Sequence, residues 1–198
     1  MPGFAAAGDE TADTSSATRD KHDYEARIIS QITAYLRGLK YLFAEFQQDA
    51  GGVASRGKIW LSNDGVLKIK VEYREINQEI LAAGDSVTIV DHLNGKEYSG
   101  STSSIPACKF LTGKEVLSTD TASIVENSKS TVSIKLNRSD CVLIFTKYER
   151  TGNVKDIHGW STGEGTKRIE VLLDEETVRI GDKKAIPAGI FSITRSKS

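Results

Sequence analysis

The chain has 198 residues, of which 38% are hydrophobic and 27% charged, and its formal net charge is −1. This length suits one domain with one core. Basic and acidic residues are mixed along the chain, without a basic block, and no apolar run is long enough to cross a membrane as a helix. The composition therefore argues against a nucleic-acid partner.

Residues 1–22 are small and polar and show no hydrophobic period, so we expect them to be disordered and to precede a single domain at 23–198. Ala5, Ala6 and Ala7 have the small-residue character of a signal-peptidase cleavage site. The basic and apolar regions that should come before such a site are absent. A clipped signal peptide and a plain Ala-rich end both fit this pattern.

Residues 23–48 carry the strongest helical pattern of the chain. Apolar side chains recur every three or four residues, Asp23 is a suitable N-cap, and Gly51 and Gly52 stop the run. The apolar stripe includes Ile28, Ile32, Leu36, Leu39, Phe43 and Phe46. One long helix is therefore predicted, lying along a wide apolar surface.

The stretch KIWLSNDGVLKIKVEY (58–73) is typical of a β-hairpin. A three-residue loop, Asn63-Asp64-Gly65, would place Gly65 at the position that needs a positive φ. Ile59 would then pair with Ile69, and Leu61 with Leu67. One face would be apolar, with Ile59, Leu61, Leu67, Ile69, Val71 and Tyr73, and the other would carry Lys58, Trp60, Lys68, Lys70 and Glu72.

After Gly52 the chain reads mostly as short strands joined by turn sequences, a pattern that favours an antiparallel sheet curled into a barrel or half-barrel. A short helix is predicted to begin at Pro106, with Phe110 and Leu111 on its apolar face. The predicted class is α+β. The predicted strands are 53–62, 66–74, 78–83, 86–92, 96–99, 122–126, 130–137, 141–149, 153–158, 167–173, 177–181 and 190–194.

No set of residues with catalytic spacing stands out. His22, His92 and His158 are scattered, and GEGTK (163–167) lacks the order of a phosphate-binding loop. Cys108 and Cys141 match no metal spacing. Two cysteines in a chain of this size do not make a disulfide scaffold, so two buried thiols are favoured, and one disulfide stays open as the alternative. We expect no enzyme activity, no cofactor and no metal, and a binding or carrier function instead.

Five segments, taken in chain order, carry a family resemblance. They are YLRGLKYLFAEFQQ (35–48), GKIWLSNDG (57–65), EILAAGDSVTIVD (79–91), IPACKFLTG (105–113) and IHGWSTGEGTKRIEVLL (157–173). Their order and spacing resemble the LolA family of outer-membrane lipoprotein carriers, over most of 24–194. Each motif is weak alone, and their succession carries the resemblance.

The resemblance implies a half-open antiparallel β-barrel whose concave apolar face is covered by a lid of the long helix and one or two short helices. It implies a periplasmic carrier that takes lipoproteins from an inner-membrane lipoprotein-releasing ABC transporter and shields their acyl chains on the way to the outer membrane. An outer-membrane receptor is a further expected partner, and the carrier is expected to be a monomer. Cavity contacts are expected at Ile59, Leu61, Asn63, Leu67, Ile69, Val71, Tyr73, Phe43, Phe110 and Leu111.

The chain departs from the family pattern after the Trp60 strand. Many relatives have Arg-Pro where this chain has Asn63 and Asp64, and that arginine helps to hold the lid shut. Asn63 can hydrogen-bond but has a shorter reach and no charge. Lys68 or Lys70 could replace a second family arginine, but the register predicted above points both outward.

Four other interpretations remain open. The fold could carry another lipid, such as a phospholipid, fatty acid or glycolipid. It could be a membrane-anchored receptor of the same fold, although neither cysteine lies near the N-terminus for lipidation. It could be an enzyme assembled from distant residues, or a structural module whose apolar row is ordinary core.

Overall fold

The structure is a computed structural model that describes residues 11–102, 116–137 and 139–193. Its one long helix, α1, spans Thr11–Gly38. Twelve strands follow in the described residues: β1 Tyr41–Ala50, β2 Val53–Asp64, β3 Val66–Tyr73, β4 Gln78–Ala83, β5 Ser86–Asp91, β6 Lys96–Ser101, β7 Ala122–Asn127, β8 Thr131–Leu136, β9 Val142–Lys147, β10 Val154–Thr162, β11 Ile169–Leu173 and β12 Arg179–Ile180.

The long helix ends earlier than predicted, and a strand replaces its second half. α1 stops at Gly38, and residues 41–50 form β1, so the prediction of helix over 39–48 is wrong. In β1 the buried side chains alternate at Leu42, Ala44 and Phe46, which is the period of a strand. Gly38, which has a high cost inside a helix, marks the change of period.

The helix also begins earlier than Asp23. It starts at Thr11, so residues 11–22 are helical where the sequence predicted disorder. The predicted short helix at Pro106, with Phe110 and Leu111, lies outside the described residues, as does Cys108. Of the predicted last strand, 190–194, the described residues 190–193 adopt no regular secondary structure.

Eleven of the strands form one antiparallel path, and the twelfth, β12, pairs with β1 beside it. The order is β6-β5-β4-β3-β2-β1-β11-β10-β9-β8-β7, so β6 and β7 lie at opposite ends and the curled sheet stays open. This is the half-open antiparallel barrel that the sequence predicted. Within the described residues, no helix is both long enough and apolar enough to cross a membrane.

The helix α1 lies over the β7–β10 half of the sheet. The Tyr35 ring packs edge-to-face on Phe145 of β9, with ring centroids 5.7 Å apart. The Tyr35 hydroxyl accepts a hydrogen bond from the Ile157 N–H of β10 at 3.2 Å. Gln31 Oε1 accepts from the Val154 N–H at 3.0 Å. These contacts attach the helix to the β9–β10 part of the apolar face.

The β2–β3 hairpin keeps the predicted faces but not the predicted pairs. Leu61 pairs with Ile69, not Leu67, and Ile59 pairs with Val71, not Ile69. Asp64 already pairs with Val66, so only Gly65, at φ +90°, stands between the two strands. The turn is therefore tighter than a three-residue loop. A displacement of two residues preserves which side chains share a face.

The second face of the hairpin is not simply solvated, as the pattern of charges suggested. Trp60 is 6% exposed and Lys70 only 3%. Lys70 Nζ donates to the Ser192 carbonyl at 3.0 Å and lies 3.1 Å from a Glu72 carboxylate oxygen. The C-terminal segment, defined here as residues 183–193, thus crosses this face above Lys70.

Candidate functional site

The face of the sheet that carries Ile59 and Leu61 is called the inner face below. Register pairs place one row of its side chains side by side across six strands. Exposure rises along this inner row, from 0% at Ala44 and 2% at Ile59 to 53% at Tyr98, with the intervening residues half-buried. The inner row consists of Ala44, Ile59, Val71, Ile80, Ile89 and Tyr98.

Charge is segregated between the two faces of β1–β4. The inner-face positions of these four strands hold no Asp, Glu, Lys or Arg. The outer-face positions hold many: Glu45, Asp49, Arg56, Lys58, Asp64, Lys68, Lys70, Glu72 and Glu79. The inner face is buried at Ile69, Ala82 and Val87 and only half-buried along the inner row at Val71, Ile80 and Ile89. An uncharged, partly accessible face is suited to apolar ligands, because burial of hydrocarbon is favourable and non-directional.

Six of the predicted cavity residues, all apolar or aromatic, lie on the inner face of the hairpin together with Asn63, and the structure brings them together. Four are buried in the core cluster with α1. Val71 and Tyr73 are half-buried at the end nearer the β1–β2 turn. The four buried residues are Ile59, Leu61, Leu67 and Ile69.

Two further predicted site residues have different outcomes. Asn63 shares the inner face, is half-buried and pairs with Leu67. Phe43 lies on the outer face, because it belongs to a strand and not to a helix. Its ring packs on Trp60, with centroids 5.6 Å apart, so it does not join the cavity residues. Phe110 and Leu111 lie outside the described residues.

The structure adds residues that the sequence reasoning did not select. Ile80 and Ile89 continue the row beyond the hairpin. Their strands were predicted, but nothing in the pattern fixed their register against β3. Alternation in the EILAA and SVTIVD segments was the available signal.

Polar, uncharged residues close the inner face at the end of the β1–β2 turn. Tyr73 Oη donates to Gln48 Oε1 at 2.8 Å, over the intervening strand β2. The Phe46 ring packs edge-to-face on Tyr73, with centroids 5.4 Å apart. Burial raises the pKa of Tyr73, so its hydroxyl stays protonated near neutral pH.

The glycine at 57 permits this arrangement. It pairs with both Phe46 and Tyr73, and the Phe46 ring lies above it. A β-carbon at Gly57 would meet two Phe46 ring carbons and the Glu72 carbonyl oxygen. A side chain at this position would therefore displace the Phe46 ring, which packs on Tyr73.

No metal site appears in the described part of the chain, where His, Cys, Asp and Glu form no group of three or more that could hold an ion. Cys141 is a buried free thiol, and burial raises its pKa to about 12. It therefore lacks the thiolate character of a reactive cysteine.

No protein-family model matches the chain, and no curated protein matches it in sequence. Solved structures do align with it. MucB aligns at 12% identity and a TM-score of 0.47, over 92% of this chain and 65% of MucB. The chain thus spans less than two thirds of the MucB structures that it matches.

Two further solved structures align over most of both chains. A DUF1329 family protein from Desulfovibrio piger aligns at 8% identity and a TM-score of 0.47, over 88% of this chain and 96% of its own. A LolA superfamily protein from Nitrosomonas europaea aligns at 10% identity and a TM-score of 0.37, over 85% and 98%.

These TM-scores lie below 0.5, so the alignments establish no ligand and no partner for this chain. The fold class follows from the strands and the helix themselves. The chain is a half-open antiparallel β-barrel with a long N-terminal helix over part of its apolar face, which is the architecture predicted from the sequence.

Proposed function

We propose that this protein is a non-enzymatic carrier that shields acyl chains on the inner face of its sheet. The observation that supports this most strongly is the inner face, which holds no charged residue over β1–β4 and whose inner row becomes more exposed from β2 toward β6. Val71, Ile80 and Ile89 form the accessible part. An acyl chain along this row would cover apolar surface that the fold leaves partly in water.

Only part of the predicted cavity is open to a ligand in this arrangement. Leu61 and Ile69 are at most 4% exposed, so a chain could touch them only after the residues above them move. The accessible part around Val71 and Ile80 would therefore receive the chain first. Deeper entry would require a conformational change, and a ligand drives such a change only by its preference for the open form.

The energetics favour a carrier that opens on contact with its next partner. Each buried methylene contributes about 0.8 kcal/mol, so a dozen methylenes contribute roughly 10 kcal/mol. Spontaneous release into water would then be slow. We extend the proposal to the cargo and route that the family resemblance implies. These are lipoproteins, received from an inner-membrane ABC transporter and carried through the periplasm toward an outer-membrane receptor.

The test is saturable binding of a fluorescent acyl probe, with two adjacent substitutions compared. Ile80→Glu places a charge on the inner row, whereas Leu81→Glu places the same charge on the outer face of the same strand. Both parent residues are half-buried. We expect Ile80→Glu to abolish binding and Leu81→Glu to retain it, with both variants folded by circular dichroism.

Two results would contradict the carrier function. A folded wild type that does not bind the probe would mean that the inner face is ordinary core, as in the structural-module interpretation. Equal loss of binding in the two variants would mean that the acyl chain of the probe does not bind on the inner face. Carriage of a phospholipid, fatty acid or glycolipid is the alternative on the same fold, and the ligand that co-purifies distinguishes it.

A further inference from the structure

The inner face has a polar boundary at the end where it becomes accessible. Gln48, Ser55, Tyr73 and Gln78 occupy inner-face positions on β1, β2, β3 and β4, and are called the polar rim below. Gln48 pairs with Ser55, and Tyr73 pairs with Gln78. Along β3, exposure rises from buried Ile69 to half-buried Tyr73, so the accessible end of the face is the end that carries the polar rim.

The chemistry of the polar rim is that of amides and hydroxyls. The Tyr73 hydroxyl donates to Gln48 Oε1, which directs the Gln48 side-chain N–H donors away from Tyr73. Gln48 Nε2 has no hydrogen-bond partner among the described residues. The Ser55 hydroxyl lies directly across from it on a residue that is 7% exposed. Together these groups can donate to a carbonyl oxygen.

No cation of β1–β4 lies at the polar rim. The inner-face residue that pairs with Gln78 on β5 is the acidic Asp91, which pairs in turn with Lys96 on β6. The cations of β1–β4 lie on the outer face, and the buried one, Lys70, is already within 3.4 Å of both Glu72 and Glu79. A carboxylate placed at the polar rim would lose water and gain no counter-charge from these strands. Burying an unpaired charge costs far more than burying a hydrogen-bonded ester or amide.

We propose that the polar rim receives an uncharged ester- or amide-linked carbonyl at the end of a bound acyl chain, so that the site selects neutral acyl esters and amides over free fatty acids. This inference rests on the proposed function, and names the ligand class of the same site. The chain would lie along Val71 and Ile80. Its carbonyl would accept from Gln48 Nε2 and the Ser55 hydroxyl.

The test is competition against an uncharged fluorescent acyl ester near neutral pH, with a monoacylglycerol and the fatty acid of the same chain length as competitors. For the wild type we expect the monoacylglycerol to compete at least roughly ten-fold better than the fatty acid. Tyr73→Phe, which removes the hydrogen bond to Gln48, should weaken competition by the monoacylglycerol about three- to ten-fold. Tyr41→Phe is the matched control, because that hydroxyl is also hydrogen-bonded, to Asp64 at 2.9 Å, away from the inner face.

Gln48→Lys tests the polar rim by a change in ligand preference, which a purely structural role of Gln48 would not produce. A cation at the polar rim should reduce or reverse the preference for the neutral competitor. Equal competition by the two ligands in the wild type would overturn the inference and leave the carrier function standing. An unchanged preference in a folded Gln48→Lys variant would also overturn it, whereas absence of any probe binding would contradict the carrier function itself.

Discussion

At the scale of single residues, Gly57 controls the packing at the accessible end of the inner face. A β-carbon there would collide with the Phe46 ring and with the backbone of β3. We expect Gly57→Ala to lower the free energy of unfolding by about 1–3 kcal/mol, because overpacking forces side chains and backbone apart. Urea denaturation measures the change.

Gly100 supplies the matched control for this substitution. It is also a strand glycine, but its added β-carbon would make only an ordinary contact with Val87, at 3.5 Å. Gly100→Ala should leave stability unchanged or raise it by about 0.4–1 kcal/mol. Equal destabilisation by the two substitutions would contradict the role given to Gly57.

Lys70 shows how a charge on the outer face can be structural. Its ammonium group joins the Ser192 carbonyl, Glu72 and Glu79 while the side chain is almost fully buried. Lys70→Met should destabilise the fold by about 1.5–3 kcal/mol, because hydrogen bonds to charged groups are lost. Amide exchange in the C-terminal segment should rise as well.

Lys68 lies on the same strand and face but is exposed. Lys68→Met should therefore change stability by less than about 0.5 kcal/mol. Similar effects of the two lysine substitutions would mean that the contact with Ser192 does not hold the C-terminal segment. The spacing of Lys68 and Lys70 could not distinguish them from the sequence, because the difference arises from a residue more than a hundred positions away.

The burial of Cys141 should make the fold less stable at alkaline pH. Burial raises its pKa from 9.0 to about 12. Above about pH 9 the unfolded chain releases a proton that the folded chain keeps, so stability is complete below that pH and falls as the pH rises. Cys141→Ala should reduce the loss between about pH 8 and pH 10 by about 1 kcal/mol. Denaturation curves of equal alkaline slope for the two proteins would contradict this account.

At the scale of elements, α1 is attached to the sheet by a small number of specific contacts. Tyr35 is the central one, since its ring packs on Phe145 and its hydroxyl accepts from the Ile157 N–H. Tyr35→Phe keeps the ring but leaves a backbone donor without its partner. This substitution should lower the free energy of unfolding by about 1–3 kcal/mol.

The same substitution has a pH signature. Burial raises the pKa of Tyr35, so the wild type loses stability as the pH rises past the ordinary tyrosine value, and Tyr35→Phe should lose less. Tyr24→Phe is the comparison, because that hydroxyl makes an exposed hydrogen bond to Asn127. Thermal unfolding at neutral and alkaline pH would show the difference, and parallel behaviour of the two variants would contradict it.

The boundary between α1 and β1 shows why one element escaped prediction. Leu39, Phe43 and Phe46 continue the three- and four-residue spacing of the helix, while Leu42, Ala44 and Phe46 alternate as in a strand. Both patterns fit the same ten residues. Only the pairing of this segment with β2 and with β11 decides between them, and β11 lies more than a hundred residues further along the chain.

At the scale of the whole molecule, the hairpin faces and most strand positions followed from local alternation and turn residues. The apolar face of 58–73 was predicted correctly even though its pairs were displaced, since an even shift keeps the faces. Which parts of the two sheet faces are covered by other elements could not be predicted. It depends on where α1 and the C-terminal segment lie, and neither placement leaves a local signal in β2 or β3.

The open sheet and its segregated charge are what connect the fold to a carrier. One face of β1–β4 is uncharged, the other is rich in ion pairs, and the helix is attached to β9 and β10 on the apolar side. A binding surface of this kind needs no reacting group. The central claim is therefore about where an acyl chain lies.

The most direct test is photo-crosslinking with an acyl ester that carries a diazirine on its chain, followed by mapping of the modified peptides by mass spectrometry. The account predicts modification on the inner row, at Val71, Ile80 and Ile89, and its loss when an unlabelled acyl ester competes. Modification confined to outer-face residues such as Leu81, or labelling that the competitor does not reduce, would contradict the claim that the inner face binds acyl chains.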